Sequence, residues 1–231
     1  MVSDINFLLV GNSRLHWAKY SKNQSKFFHT KKEQKVPENI DLDQLIWASV
    51  GKLPIFLLKE ENEIKTKDIQ LSNLPDYFGV DRALACLAAL NTIENPLKKD
   101  LLIADFGTIL SITKLNSNGS VLGGQLIPGF LTQLKSMEQY TQKLKVPKKF
   151  EIPSKDYLIK TEEAILKGVI NSLTGVIKCS FNPLKDILIT CGGDSEFLAK
   201  SLKTQKGNII NAPNLVMEGM IIHHLSVKKL A

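Results

Sequence analysis

One strand-turn-strand pattern occurs twice along these 231 residues. Residues 6–10 form a short apolar run of strand length, Gly11-Asn12-Ser13 is turn chemistry, and residues 15–20 resume a strand-like pattern. Further on, residues 101–104 form an apolar strand, Asp105-Phe106-Gly107-Thr108 supplies the turn, and residues 109–115 return as a strand that ends in Asn116-Ser117-Asn118-Gly119. Placing Gly11 on Gly107 superposes the two hairpins and sets Asn12 and Ser13 beside Thr108 and Ile109. A single pair of repeats speaks for two structurally similar halves rather than a solenoid. With the boundary near Pro96, the expected halves are 1–97 and 98–231.

The segments around the hairpins extend this plan. A polar stretch containing Phe27 and Phe28 offers a third strand, and residues 45–50 read as a buried strand stopped by Gly51 and Pro54. Ala83, Leu84, Leu87, Ala88 and Leu90 have helical spacing and predict a helix over 81–93, ended by Pro96, with Asp81 at or near its start. In the second half, helices are expected over 130–144 and 161–178, a strand over 186–191, and a closing helix near 214–226.

Composition narrows the classes of function. No apolar stretch is long enough to span a bilayer, which argues against an integral membrane protein. The opening Met-Val-Ser-Asp-Ile-Asn lacks a basic segment followed by an apolar core, so a cytoplasmic location is expected. The formal charge of +7 could attract phosphate-bearing ligands or nucleic acid. Its lysines are widely spread, however, and read as solvated surface, so no nucleic-acid partner is expected. Cys86, Cys179 and Cys191 form no close pair and are expected as reduced core or near-core residues. His16, His29, His223 and His224 lack metal-site spacing. His16 and Trp17 are read as hairpin packing, and the His223-His224 pair as part of the last helix.

Some residues could carry chemistry. A phosphate needs closely approaching backbone N–H donors, which Gly permits, and hydroxyl or amide side chains beside them. Gly11-Asn12-Ser13 and Gly107-Thr108 both meet that description, although each is also an ordinary hairpin turn. Asp105, two residues before Gly107, adds a carboxylate where a charge-balancing cation would sit. Gly123-Gly124 with Pro128-Gly129, and Gly192-Gly193-Asp194 after an apolar strand, allow close backbone approach to a ligand or simply tight packing. In Gly79-Val80-Asp81-Arg82, Asp81 reads either as a helix cap or as a carboxylate that orients an acceptor hydroxyl in phosphoryl transfer. Arg82 would keep Asp81 ionised or hold an anionic substrate, unless it forms only a surface ion pair.

In this order the motifs resemble the type III pantothenate kinases, members of the acetate and sugar kinase, heat-shock protein and actin superfamily. The likeness includes Ser49-Val50 and Thr161 with Ala164 and Gly168, and it runs over most of the chain. It implies an α/β fold of two repeated ribonuclease H-like (actin-like ATPase) halves with a ligand cleft between them. It also implies ATP-dependent phosphorylation of pantothenate, the first step toward coenzyme A. By the same resemblance Val10, Gly11, Asn12, Ser13, Arg14, Thr108, Gly192 and Gly193 bind ATP. Gly79, Val80, Asp81, Arg82 and Thr161 hold pantothenate, with Asp81 the proton acceptor. Asp105 binds a monovalent cation, K⁺ or NH₄⁺, Mg²⁺ accompanies ATP, and the protein is a homodimer. One departure stands out, because the family's first turn usually has Asp two residues before its Gly and this chain has Leu9. That leaves open a catalytically silent homologue acting as a binding or transcription accessory protein, or a kinase for another small hydroxy acid.

Overall fold

In the computed structural model the chain is described for residues 4–38, 40–54, 56, 58–95, 98–202 and 208–230. Four strands build the first sheet: β1 (Ile5–Val10), β2 (Arg14–Ser21), β3 (Gln24–Lys31) and β4 (Ile46–Ser49), in the order β3-β2-β1-β4. β1 and β2 are antiparallel, with Val10 opposite Leu15 and Leu9 opposite His16, while β4 runs parallel to β1 with Val10 opposite Ser49. The β2–β3 hairpin closes on Lys22 and Asn23, both at positive φ (49° and 62°), the backbone that a two-residue turn needs to match strand twist. Phe7, Leu9, Ala18 and Ala48 share a core with Val80, Ala83 and Leu84 of helix α1 (Val80–Thr92) and Met217, Met220 and Ile221 of helix α5 (Leu215–Leu230). Leu8, Val10, Leu15, Trp17, Leu45 and Trp47 form a separate cluster. Burial of successive residues from Phe7 to Val10 explains why β1 reads as a continuous apolar run rather than an alternation. Helices α1 and α5 meet at Gly219, where a Cβ would run into the Leu84 carbonyl.

The second sheet contains β5 (Asp100–Phe106), β6 (Ile109–Leu115), β7 (Val121–Pro128), β8 (Asp186–Cys191) and β9 (Asn208–Asn211), ordered β7-β6-β5-β8-β9. Its centre repeats the first: an antiparallel hairpin with Phe106 opposite Leu110, and a parallel strand placing Cys191 opposite Asp105. Leu102, Ala104, Phe106, Leu110, Ile112 and Leu188 share a core with helices α2 (Phe130–Tyr140) and α3 (Thr161–Ser180), and Leu198 of the short α4 (Ser195–Ala199) joins them. At the amino ends of β5 and β8, Asp186 is fully buried, accepts the Asn182 N–H at 2.7 Å and takes a 3.0 Å hydrogen bond from Lys114 Nζ. Lys114 also pairs with Asp100 at 3.5 Å.

The chain divides into two compact units, one of Met1–Pro96, Gly119–Val121 and Asn214–Ala231, the other of Leu97–Asn118 and Leu122–Pro213. Helix α5, which follows the second sheet in sequence, therefore packs on α1 in the first unit. Other details also differ from the sequence reading. Gly123-Gly124 lies inside β7, with Gly123 at φ 120°, and β9 had no counterpart among the expected strands. Helix α2 stops at Tyr140, short of the expected 144. Cys86 and Cys191 are buried but Cys179 is exposed, because α3 turns that position outward. Among the described residues no helix is long and apolar enough to cross a membrane.

Candidate functional site

In the first unit β1, β3 and β4 point the same way, so Val10, Lys31 and Ser49 end at one edge, where open α/β sheets bind ligands. The Gly11–Ser13 turn closes there through the Gly11 N–H, which donates to the Arg14 carbonyl at 3.1 Å. The N–H groups of Val50 and Gly51 both donate to the Val10 carbonyl, at 3.0 and 3.1 Å, and Ser49 Oγ donates to the Gly51 carbonyl at 2.8 Å. Gly51 lies against the Gly11 carbonyl so closely that any side chain would collide with it. His16, facing Leu9 across the hairpin, leans over the same turn, since a Cβ on Gly11 would stand 3.1 Å from its Nε2. Burial, His29 and Arg14 push the His16 imidazole down to about 4, so it is neutral near pH 7. Thus Val10, Gly11, Asn12, Ser13 and Arg14 are gathered with Ser49–Gly51, and the side chains of Asn12, Ser13 and Arg14 are exposed.

Helix α1 in the same unit begins differently from a simple Asp cap. Gly79 is the cap residue, and Asp81 is the second residue of the helix. Its Oδ1 accepts the Arg82 N–H at 2.7 Å, so the carboxylate serves the first turn from within it. Burial raises the Asp81 carboxyl above its ordinary value, outweighing the Arg82 N–H and guanidinium that favour the anion. Arg82 thus favours the ionised form of Asp81, one of the roles expected of it, while burial opposes it and sets the net direction. Its guanidinium lies 3.9 Å from the centre of the Phe78 ring. Thr66 Oγ1 donates to the Phe78 carbonyl at 2.6 Å and fixes the approach to Gly79.

In the second unit three distant segments meet at the Asp105–Thr108 end of β5. The Gly129 N–H and Thr132 Oγ1 donate to the Thr108 carbonyl at 2.9 and 2.6 Å, and Gly129 abuts the Gly107 carbonyl with no room for a Cβ. Gly192, at φ 85°, lies against the Asp105 carboxylate, and the Asp194 N–H donates to the Phe106 carbonyl at 3.1 Å. Asp105 sits in register between Ser111 and Cys191. Gly193 is exposed with open space where a Cβ would be. Thr161 opens α3 with an exposed side chain.

Matching the last paired residues of each hairpin, Val10 to Phe106, sets Leu9 at the place of Asp105. The second turn is one residue shorter, since three residues separate Phe106 from Leu110 and four separate Val10 from Leu15. Two residues near the first turn had no signal in the sequence: His16, read as packing, and Lys32, which reaches Gly51 only through the end of β3.

The type III pantothenate kinase family matches the chain over residues 36–182. The chain belongs to that family. A type III pantothenate kinase of Synechocystis sp. is 30% identical over 94% of this chain and 89% of its own length. One from Bacteroides fragilis is 29% identical over 78% of this chain and 74% of its own. Among solved structures, a conserved Campylobacter jejuni protein named for the Baf family of transcriptional activators has a TM-score of 0.68 at 20% identity, covering 97% of this chain and all of that one. A Sinorhizobium meliloti protein named as a 2-dehydro-3-deoxygalactonokinase has a TM-score of 0.62 at 11% identity, covering 98% of each chain. At these identities the structural likeness is one of fold, the two-sheet α/β architecture of actin-like ATPases and sugar kinases.

Proposed function

We propose that this member of the family is a kinase that transfers the γ-phosphoryl group of ATP to the primary hydroxyl of pantothenate. The product, 4′-phosphopantothenate, is the first intermediate toward coenzyme A. The observation that carries the reading, within the family assignment, is the half-buried carboxylate of Asp81 in the first turn of α1, two residues after the cap residue Gly79. In phosphoryl transfer the protein contributes mainly positioning and charge, and a carboxylate orients the attacking hydroxyl. Asp81 accepts the hydroxyl proton as the new P–O bond forms, and the bond from the γ-phosphorus to ADP breaks.

The remaining roles follow the motifs. Val10, Gly11, Asn12, Ser13, Arg14, Thr108, Gly192 and Gly193 are assigned to the nucleotide. Gly79, Val80, Arg82 and Thr161 are assigned to pantothenate. The glycine contacts support this, because Gly51 and Gly129 bring a second backbone stretch onto each turn and Gly192 keeps side-chain bulk away from Asp105.

The donor set is compatible with cations that share their shell with substrate. Among the described residues no group of three or more His, Cys, Asp or Glu could cage a metal ion. A carboxylate at a turn suits K⁺ or NH₄⁺, or an Mg²⁺ that leans on phosphate oxygens and water, so Asp105 is the residue assigned to hold the monovalent cation. Such cations would supply charge neutralisation for the phosphate chain. A cytoplasmic homodimer is proposed as well, each chain built of two repeated halves that divide near residue 97, with α5 returning to the first.

The test is direct: purified protein with ATP, pantothenate, Mg²⁺ and K⁺ should form phosphopantothenate, and none forming would reject the kinase reading. Leu9 is the observation that favours a second reading, a catalytically silent homologue acting as a binding or transcription accessory protein. Pantothenate should raise the melting temperature of an enzyme, whereas a silent homologue need not respond to it. Competition among small hydroxy acids would reveal a different acceptor.

A further inference from the structure

Lys32 follows directly on β3, at the edge where β1 and β4 also end. It is half-buried, and its Nζ donates to the Lys52 carbonyl at 3.1 Å. A Cβ on Gly51 would stand 2.9 Å from that nitrogen, and Gly51 itself lies on the Gly11 carbonyl. The ammonium is thus held near the Gly11–Ser13 turn by the backbone of the Gly51-Lys52 stretch. Among the described residues no carboxylate pairs with it, the ion-paired lysines of this unit being Lys19, Lys59 and Lys65. Arg14, opposite Lys31 in the β2–β3 register, adds a second cation at the same edge. The neighbouring carboxylate that Asp105 provides in the other repeat is replaced here by Leu9, so the edge carries fixed positive charge without that counter-charge.

We propose that Lys32 is a phosphate-binding residue, its ammonium contacting the anionic phosphate chain of the nucleotide at the Gly11 turn. Resting on the kinase reading, this deepens it by naming a contact that supplies charge on the side where Leu9 offers no carboxylate to hold a hydrated cation. An ammonium has several donors, and the one directed at Lys52 leaves others for phosphate oxygens. Anchoring by a carbonyl lowers the entropy lost when the side chain meets its ligand, and a charge-assisted hydrogen bond exceeds a neutral one in strength.

The experiment compares wild type, Lys32→Ala and Lys32→Arg by calorimetric binding of ATP and of adenosine with Mg²⁺ present, together with KM for both substrates. Lys32→Ala should weaken ATP binding about tenfold and raise KM for ATP in parallel. Adenosine binding, KM for pantothenate and the melting temperature should hold. Lys32→Arg should restore most of the ATP affinity, and the gap between wild type and Lys32→Ala should narrow as salt rises. Unchanged ATP affinity in Lys32→Ala overturns the proposal. So does an equal loss for ATP and adenosine with a lowered melting temperature, which marks Lys32 as a structural anchor for Lys52. If wild type binds ATP but makes no phosphopantothenate, the kinase reading fails while the ATP-to-adenosine comparison still decides the role of Lys32. Wild type that binds neither ATP nor adenosine overturns both.

Discussion

Replacing Asp81 by Asn separates chemistry from folding more cleanly than any other change in this chain. The Asn side chain has the same shape and keeps an oxygen that can accept the Arg82 N–H, now made at 2.7 Å by the carboxylate. It cannot take a proton from a hydroxyl, and loss of a positioned general base costs roughly 10²- to 10⁴-fold in rate. Turnover measured by coupled ADP release should fall within that range, with KM for ATP little changed. Folding should not suffer. Because burial raises the folded-state carboxyl above its ordinary 3.8, the native chain binds this proton more tightly than the unfolded chain does. The resulting stabilisation is fully present below the unfolded value and is lost as pH rises through the folded one. Asp81→Asn removes that dependence, so near pH 7 the variant should melt no lower than wild type. The same shift moves the acidic limb of the wild-type rate profile upward relative to an unburied aspartate. Retention of more than a tenth of wild-type turnover by Asp81→Asn, or its failure to fold, would refute the argument.

Other outcomes follow from the packing. Gly192→Ala should both strain a backbone at φ 85° and press on the Asp105 carboxylate, lowering stability by about 1–3 kcal/mol in denaturant titration and reducing turnover. Lys114→Met strands the buried Asp186 carboxylate and should cost about 3–5 kcal/mol in the same titration without raising KM for ATP. Burial, with Lys228 and His223, holds His224 down at about 4, so the folded chain resists protonation there while the unfolded chain accepts it near 6.5. Stability should therefore fall as pH drops from 6.5 toward 4, and His224→Leu should flatten that slope in melts taken across the interval.

Much of the architecture was legible because it rests on local pattern. The apolar run at Phe7–Val10, the turn at Gly11 and their echo at Leu101–Gly107 announced two like sheets, and period-3.6 spacing announced α1 and α3. β9 escaped because Asn-Ile-Ile-Asn is too short to show a period, and β7 because glycines at 123 and 124 argue against a strand until neighbours supply the hydrogen bonds. Asp81 stood out by type and position, but its role inside the first turn, with Gly79 as the cap, belongs to backbone geometry that residue type does not encode.

By itself the order of residues determined most of the elements, the doubled turn and the family, since these depend on neighbours along the chain. Only packing decided that α5 returns to α1, that Gly51, Gly129 and Gly192 press on the two turns, that burial raises Asp81, and that Lys32 reaches the first turn. Each of those depends on groups far apart in sequence, and the field, the steric room and the water a side chain feels are set by whatever the fold brings beside it.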